Sequence, residues 1–98
     1  MTEKLKIERG SGNIFIDLGF GKAEAENLKL RSELMIRITQ FYRKSGMTQA
    51  AAAKLLGLTQ PRLNALLKGK IGLFSLDALV TVASKAGLSV RLVVKKAA

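Results

Sequence analysis

Cysteine and histidine are both missing from the chain. Without cysteine there is no disulfide framework, no thiol nucleophile and no thiolate metal site. Without histidine the commonest general base and the commonest metal ligand are gone. Ser32, Ser45, Ser75, Ser84 and Ser89 have no imidazole to activate them, so helix caps and surface positions suit them better than catalysis. Aromatic residues are few: four Phe, one Tyr and no Trp, with no interleaved basic run to build a stacking platform for single strands. Long apolar runs are missing too. The longest uncharged stretch, Ser45 to Ala53, has nine residues, while a membrane-spanning helix needs about 20. The first 12 residues alternate charge with apolar side chains and no apolar block follows, so they do not read as a secretory signal. These absences lead us to expect a cytoplasmic protein that is not an enzyme, with no membrane partner, no metal and no cofactor.

Acidic side chains are scarce: seven Asp+Glu face 17 Lys+Arg, a net charge of +10 on 98 residues. The length suits one domain, since domains run to about 100–200 residues. The 48% apolar content allows an ordinary core. The charge is uneven. Through residue 33 six acids balance six bases, and from residue 34 onward Asp77 is the sole acid against 11 bases. Arg37, Arg43, Lys44, Lys54, Arg62, Lys68 and Lys70 follow one another with no acid between them. An acid-free stretch this long on a chain this short points to a polyanionic partner.

The periodicity predicts helices followed by one strand. Residues 1–21 read as an N-terminal arm, flexible at first, in which 13–18 (NIFIDL) can form a short strand or an irregular segment on the core. Lys22 to Ser45 is helical, with stripes Leu34, Ile38, Phe41 and Leu28, Met35, Tyr42, and with Arg31-Ser32 as a place where it can divide. Glu24 and Glu26 near its start and Arg43 and Lys44 at its end suit the helix dipole, and Gly46 suits its left-handed terminus. Thr48 caps a helix from Gln49 to Leu56, which Gly57 ends. Thr59 caps another from Gln60 to Lys68, with Pro61 in its first turn and Leu63, Leu66 and Leu67 as its core face. Ser75 caps a last helix, with Leu76, Leu79, Val80 and Ala83 on one side. From Leu88 to Lys95 the pattern alternates, with Val90, Leu92 and Val94 on one side, as in a half-buried strand.

The segment Gln49 to Leu67 carries most of the information. Two short helices joined by a tight glycine turn are the outline of a helix-turn-helix. Ala53 is small where one helix crosses the other, Gly57 tolerates positive φ in the turn, and Leu63 and Leu66 anchor the second helix. The run Met47 to Arg62 (MTQAAAAKLLGLTQPR) resembles the Xre/Cro-type helix-turn-helix family. Gly12 to Gly19, Leu67-Lys68-Gly69-Lys70, Phe74-Ser75-Leu76-Asp77 and the alternating end extend the likeness to short HigA-type antitoxins and autoregulators.

That resemblance implies a mostly α, lambda-repressor-like bundle of four to five helices in residues 22–98, with a C-terminal β-strand at 88–95. It implies a sequence-specific, repressor-like binder of duplex DNA. The start of the second motif helix would read bases: Thr59, Gln60, Pro61 and Arg62, then Asn64 and Ala65. Gln pairs with adenine and Arg with guanine in the major groove, whereas Pro61 and Ala65 leave only apolar contact, as with thymine methyls. Gln49 would hold a backbone phosphate. Lys54, Lys68, Lys70, Arg43 and Lys44, at helix ends, suit phosphates as well. A lone strand cannot leave its backbone unpaired. Val90, Leu92 and Val94 are therefore expected to pair either with the 14–18 segment or, preferably, across the twofold axis of a homodimer on a palindromic operator. The alternative is an antitoxin that neutralises a small toxin directly, using the charge-balanced segment before residue 34.

Overall fold

The computed structural model describes residues 13–96. In chain order they form α1 (Ile14–Asp17), α2 (Lys22–Ser45), α3 (Gln49–Leu56), α4 (Gln60–Leu67), a 3₁₀ turn (Ile71–Leu73) and α5 (Leu76–Lys85). Residues 1–12 of the expected arm lie outside the described residues.

The long helix α2 is the spine. It runs unbroken through Arg31-Ser32, where a division was allowed, and ends on Gly46 at φ 73°. Its buried stripe is Ala25, Leu28, Met35 and Ile38, while Leu34, Phe41 and Tyr42 are half-buried beside it. α5 packs most extensively along α2, α4 packs on both α2 and α3, and α3 packs on α4 and α5. Met35 and Ile38 thereby share one core with Ala52, Ala53 and Leu56 of α3, Leu63 and Leu66 of α4, Phe74, and Leu79, Val82 and Ala83 of α5. Helices as short as α3 and α4 are marginal alone, so this packing is what keeps them folded. A fully buried leucine contributes about 1.5–3 kcal/mol.

Three expectations need correction. The 13–18 segment is a single helical turn and not a strand. Asn13 decides this: its Oδ1 accepts from the Phe15 amide at 2.9 Å, an N-cap bond, while its Nδ2 donates to the Ala25 carbonyl at 2.9 Å. One buried amide thus starts α1 and staples it to α2, and Ala25, wholly buried, leaves room for the approach. On α5 the core face is Leu79, Val82, Ala83 and Ala86, and Val80 is exposed. The helical period from Leu79 passes through residues 82, 83 and 86, so Val80 falls off the stripe. Finally, no strand occurs among the described residues, including 88–95. Leu88 touches the core, then Leu92, Val93 and Val94 stand 70%, 74% and 83% exposed. With 14–17 helical, the described residues offer that segment no ladder partner.

Candidate nucleic-acid interface

The motif is assembled by capping at both helix starts. Thr48 Oγ1 accepts from the Ala51 amide at 3.1 Å, and Thr59 Oγ1 accepts from the Arg62 amide at 3.2 Å. Each hydroxyl keeps its own proton to donate outward. Between them Gly57 adopts φ 72°, which disfavours any side chain, and a Cβ there would also fall 2.6 Å from Lys85 Nζ. The turn closes with the Leu58 amide donating to Ala53 O at 2.8 Å. Ala53 is 3% exposed, as a crossing of two helices requires.

These local rules fix which way α4 faces. Leu63 and Leu66, 0% and 1% exposed, pin its inner side. Gln60, Pro61, Asn64 and Lys68 are left exposed on the outer side, and Ala65 is half-buried at its margin. The eight residues of α4 span about 12 Å, a length that the major groove accommodates. Pro61 sits in the first turn, where its missing N–H costs no hydrogen bond.

The basic residues surround this helix in the chain. Gln49 is exposed at the N-terminus of α3, where the helix dipole favours an anion. Arg43 and Lys44 end α2 just before it, Lys54 lies in the last turn of α3, and Lys68 and Lys70 follow α4; all are exposed. No acid occurs from residue 34 to residue 76, so α3, α4 and the segments that join them carry only positive side-chain charge.

Arg62 is placed differently from its neighbours. Its Nη1 donates to the Leu73 carbonyl at 2.8 Å, and its guanidinium carbon stands 4.3 Å over the Phe74 ring. Arg31, on α2, reaches the same loop, with Nη1 donating to Ile71 O at 3.2 Å and to Phe74 O at 3.1 Å. Sequence reasoning missed both contacts, and it missed Phe74 as a core residue. A lone aromatic just before the Ser75 cap was the available signal.

Among the described residues no group of three or more His, Cys, Asp or Glu can hold a metal ion. No described helix is long and apolar enough to cross a membrane. The larger surface groove, 460 Å³, is lined mainly by apolar side chains such as Phe15, Met35, Ile36 and Leu67.

A family model described as "Helix-turn-helix domain" matches residues 14–95. A solved structure assigned by name to the XRE family of transcriptional regulators is 30% identical to this chain. The match covers 76% of this chain and 83% of that one, with a TM-score of 0.69. The chain belongs to the Xre-type helix-turn-helix family. No curated protein matches the sequence.

Proposed function

We propose that this helix-turn-helix protein is a sequence-specific, repressor-like regulator that binds duplex DNA with α4 in the major groove. One observation carries the reading: an exposed face of Gln60, Pro61 and Asn64, anchored from behind by buried Leu63 and Leu66, in a stretch free of acids. Gln60 and Asn64 have amide groups that match adenine N6 and N7. Pro61 and Ala65 supply apolar contact to thymine methyls, and the Thr59 hydroxyl sits at the same helix start. Gln49, Lys54, Lys68, Lys70, Arg43 and Lys44 take phosphates, which hold register without specifying sequence.

The test compares a preferred duplex with a random one. Gln60→Ala and Asn64→Ala should each lower discrimination by about 1–3 kcal/mol. Equal weakening on both duplexes would make them phosphate contacts and remove them from the reading face.

The exposed tail favours a homodimer. Val90, Leu92 and Val94 alternate on a segment that has no ladder among the described residues. Antiparallel pairing with a second copy would satisfy that backbone and cover the apolar side chains. Two α4 helices would then meet half-sites about 34 Å apart on a palindromic operator.

A second reading, direct neutralisation of a small toxin protein, has its own support. Ile14, Leu18 and Phe20 are 55%, 67% and 41% exposed at the α1 end. That end belongs to the charge-balanced part of the chain, where none of the base or phosphate contacts proposed above lies. Purification from the native host, with the natural chain and with Ile14→Glu plus Leu18→Glu, tests it. A small protein retained by the natural chain and lost from the variant is the expected result. No partner with either chain removes the reading.

A further inference from the structure

The loop after α4 is gripped from two sides. Arg31 approaches from α2 and covers the carbonyls of Ile71 and Phe74, at 3.2 and 3.1 Å. Arg62 approaches from α4 and covers the carbonyl of Leu73 at 2.8 Å while stacking on Phe74, 4.3 Å from the ring centre. Phe74 is 1% exposed, so the ring is a fixed plate held by the core. Asn27 Oδ1 accepts from Arg31 Nε at 2.6 Å, which orients that guanidinium along its own helix. Arginine suits both places because one planar group can donate hydrogen bonds and stack at the same time.

We propose that Arg31 and Arg62 are positioning residues: a two-sided clamp that orders residues 69–74 and so presents Lys68 and Lys70 to the phosphate backbone. The proposal rests on the DNA-binding reading above. It assigns Arg62 a role through the loop and not on a base edge. The bond to Leu73 engages one of the five N–H donors of the guanidinium, and together with the stack on Phe74 it holds the group against the loop. The clamp has an electrostatic consequence as well. Three carbonyl oxygens in residues 71–74 have their negative ends covered by guanidinium groups. An approaching phosphate therefore meets Lys68 and Lys70 without those oxygens opposing it. The loop's own bonds report its order: the Leu73 amide donates to Lys70 O at 3.1 Å and the Phe74 amide to Ile71 O at 3.3 Å.

The experiment uses the full chain with Arg31→Gln, with Arg62→Gln, with Lys68→Gln plus Lys70→Gln, and with Arg62→Gln added to that pair. In the free protein, amide hydrogen exchange at Leu73 and Phe74 should quicken about tenfold in either single variant, while the core amides of Ile38 and Leu66 keep their rates. On DNA, both single variants should weaken binding to a preferred and to a random duplex by the same factor. Where Lys68 and Lys70 are already neutral, Arg62→Gln should have no further effect on affinity. Loss of preference for the chosen duplex in Arg62→Gln, with loop exchange unchanged, would overturn the clamp and make Arg62 a base reader. A uniform rise in exchange across all amides would overturn it too, since the arginines would then serve general stability. Should the natural chain bind no duplex at all, the DNA reading fails, and the exchange rates still decide whether the loop is clamped.

Discussion

Between Thr48 and Leu67 one apolar stripe turns inward: Ala52, Ala53, Leu56, Leu63 and Leu66 are all buried. Between Val90 and Val94 they turn outward, and Leu92, Val93 and Val94 rank among the most exposed large apolar residues described. Both regions carry a clear hydrophobic pattern. They differ in where the partner lies. A helix satisfies its own backbone and needs only its stripe covered, which α2, α5 and the two motif helices do for one another. A strand must find another strand, and the described residues contain none. Period alone reveals which face is apolar; it does not reveal whose surface will cover it.

The largest expected effect lies in the motif. Leu63→Ala should cost about 2–5 kcal/mol, because the wholly enclosed site under α4 would leave a cavity. Thermal or urea unfolding measures this. A loss below 1 kcal/mol would mean that α4 is not anchored where the burial places it.

Asn13→Ala should come next. It removes a cap and leaves the Ala25 carbonyl without its donor, a cost of about 1–3 kcal/mol. Much of that should appear as detachment of α1, seen as faster exchange of the Leu18 and Phe20 amides than of those in α3. Cooperative loss of α1 together with the core would instead place α1 among the essential packing elements.

The smallest effect on the folded monomer should come from the tail. Leu92→Pro should change unfolding free energy at dilution by under about 0.5 kcal/mol, as for exposed substitutions generally. It should nonetheless abolish dimers in sedimentation, since proline cannot donate to a ladder. Persistent dimers would put the twofold contact elsewhere.

How much of this was legible depended on the range of the interactions. The helix-turn-helix could be read because its determinants are local: Thr48 and Thr59 cap, Gly57 turns, and Leu63 and Leu66 recur at helical spacing. The Ile14–Asp17 turn was ambiguous because four residues fit either period. What settles it is an Asn13 bond to Ala25, 12 positions away. The Arg31 contacts span 40 and 43 positions, beyond any pattern along the chain. Arg62 is exposed, as its place on the flank of the α4 wheel implies, and its contact with Phe74 of the next loop is what the pattern along the chain does not reveal. On α5 the stripe was misplaced by Val80, an apolar residue that the helical period leaves outside. The charge pattern, by contrast, needed no structure, since the acid-free stretch coincides with the motif.

The central claim is that α4 reads duplex DNA and does so in pairs. Selection of bound duplexes from a random pool by the full chain, at moderate salt, tests it most directly. The account predicts an enriched inverted repeat with half-sites about one helical turn, 34 Å, apart. Recovery of duplexes with no shared sequence would contradict it, leaving a basic surface that holds DNA without reading it.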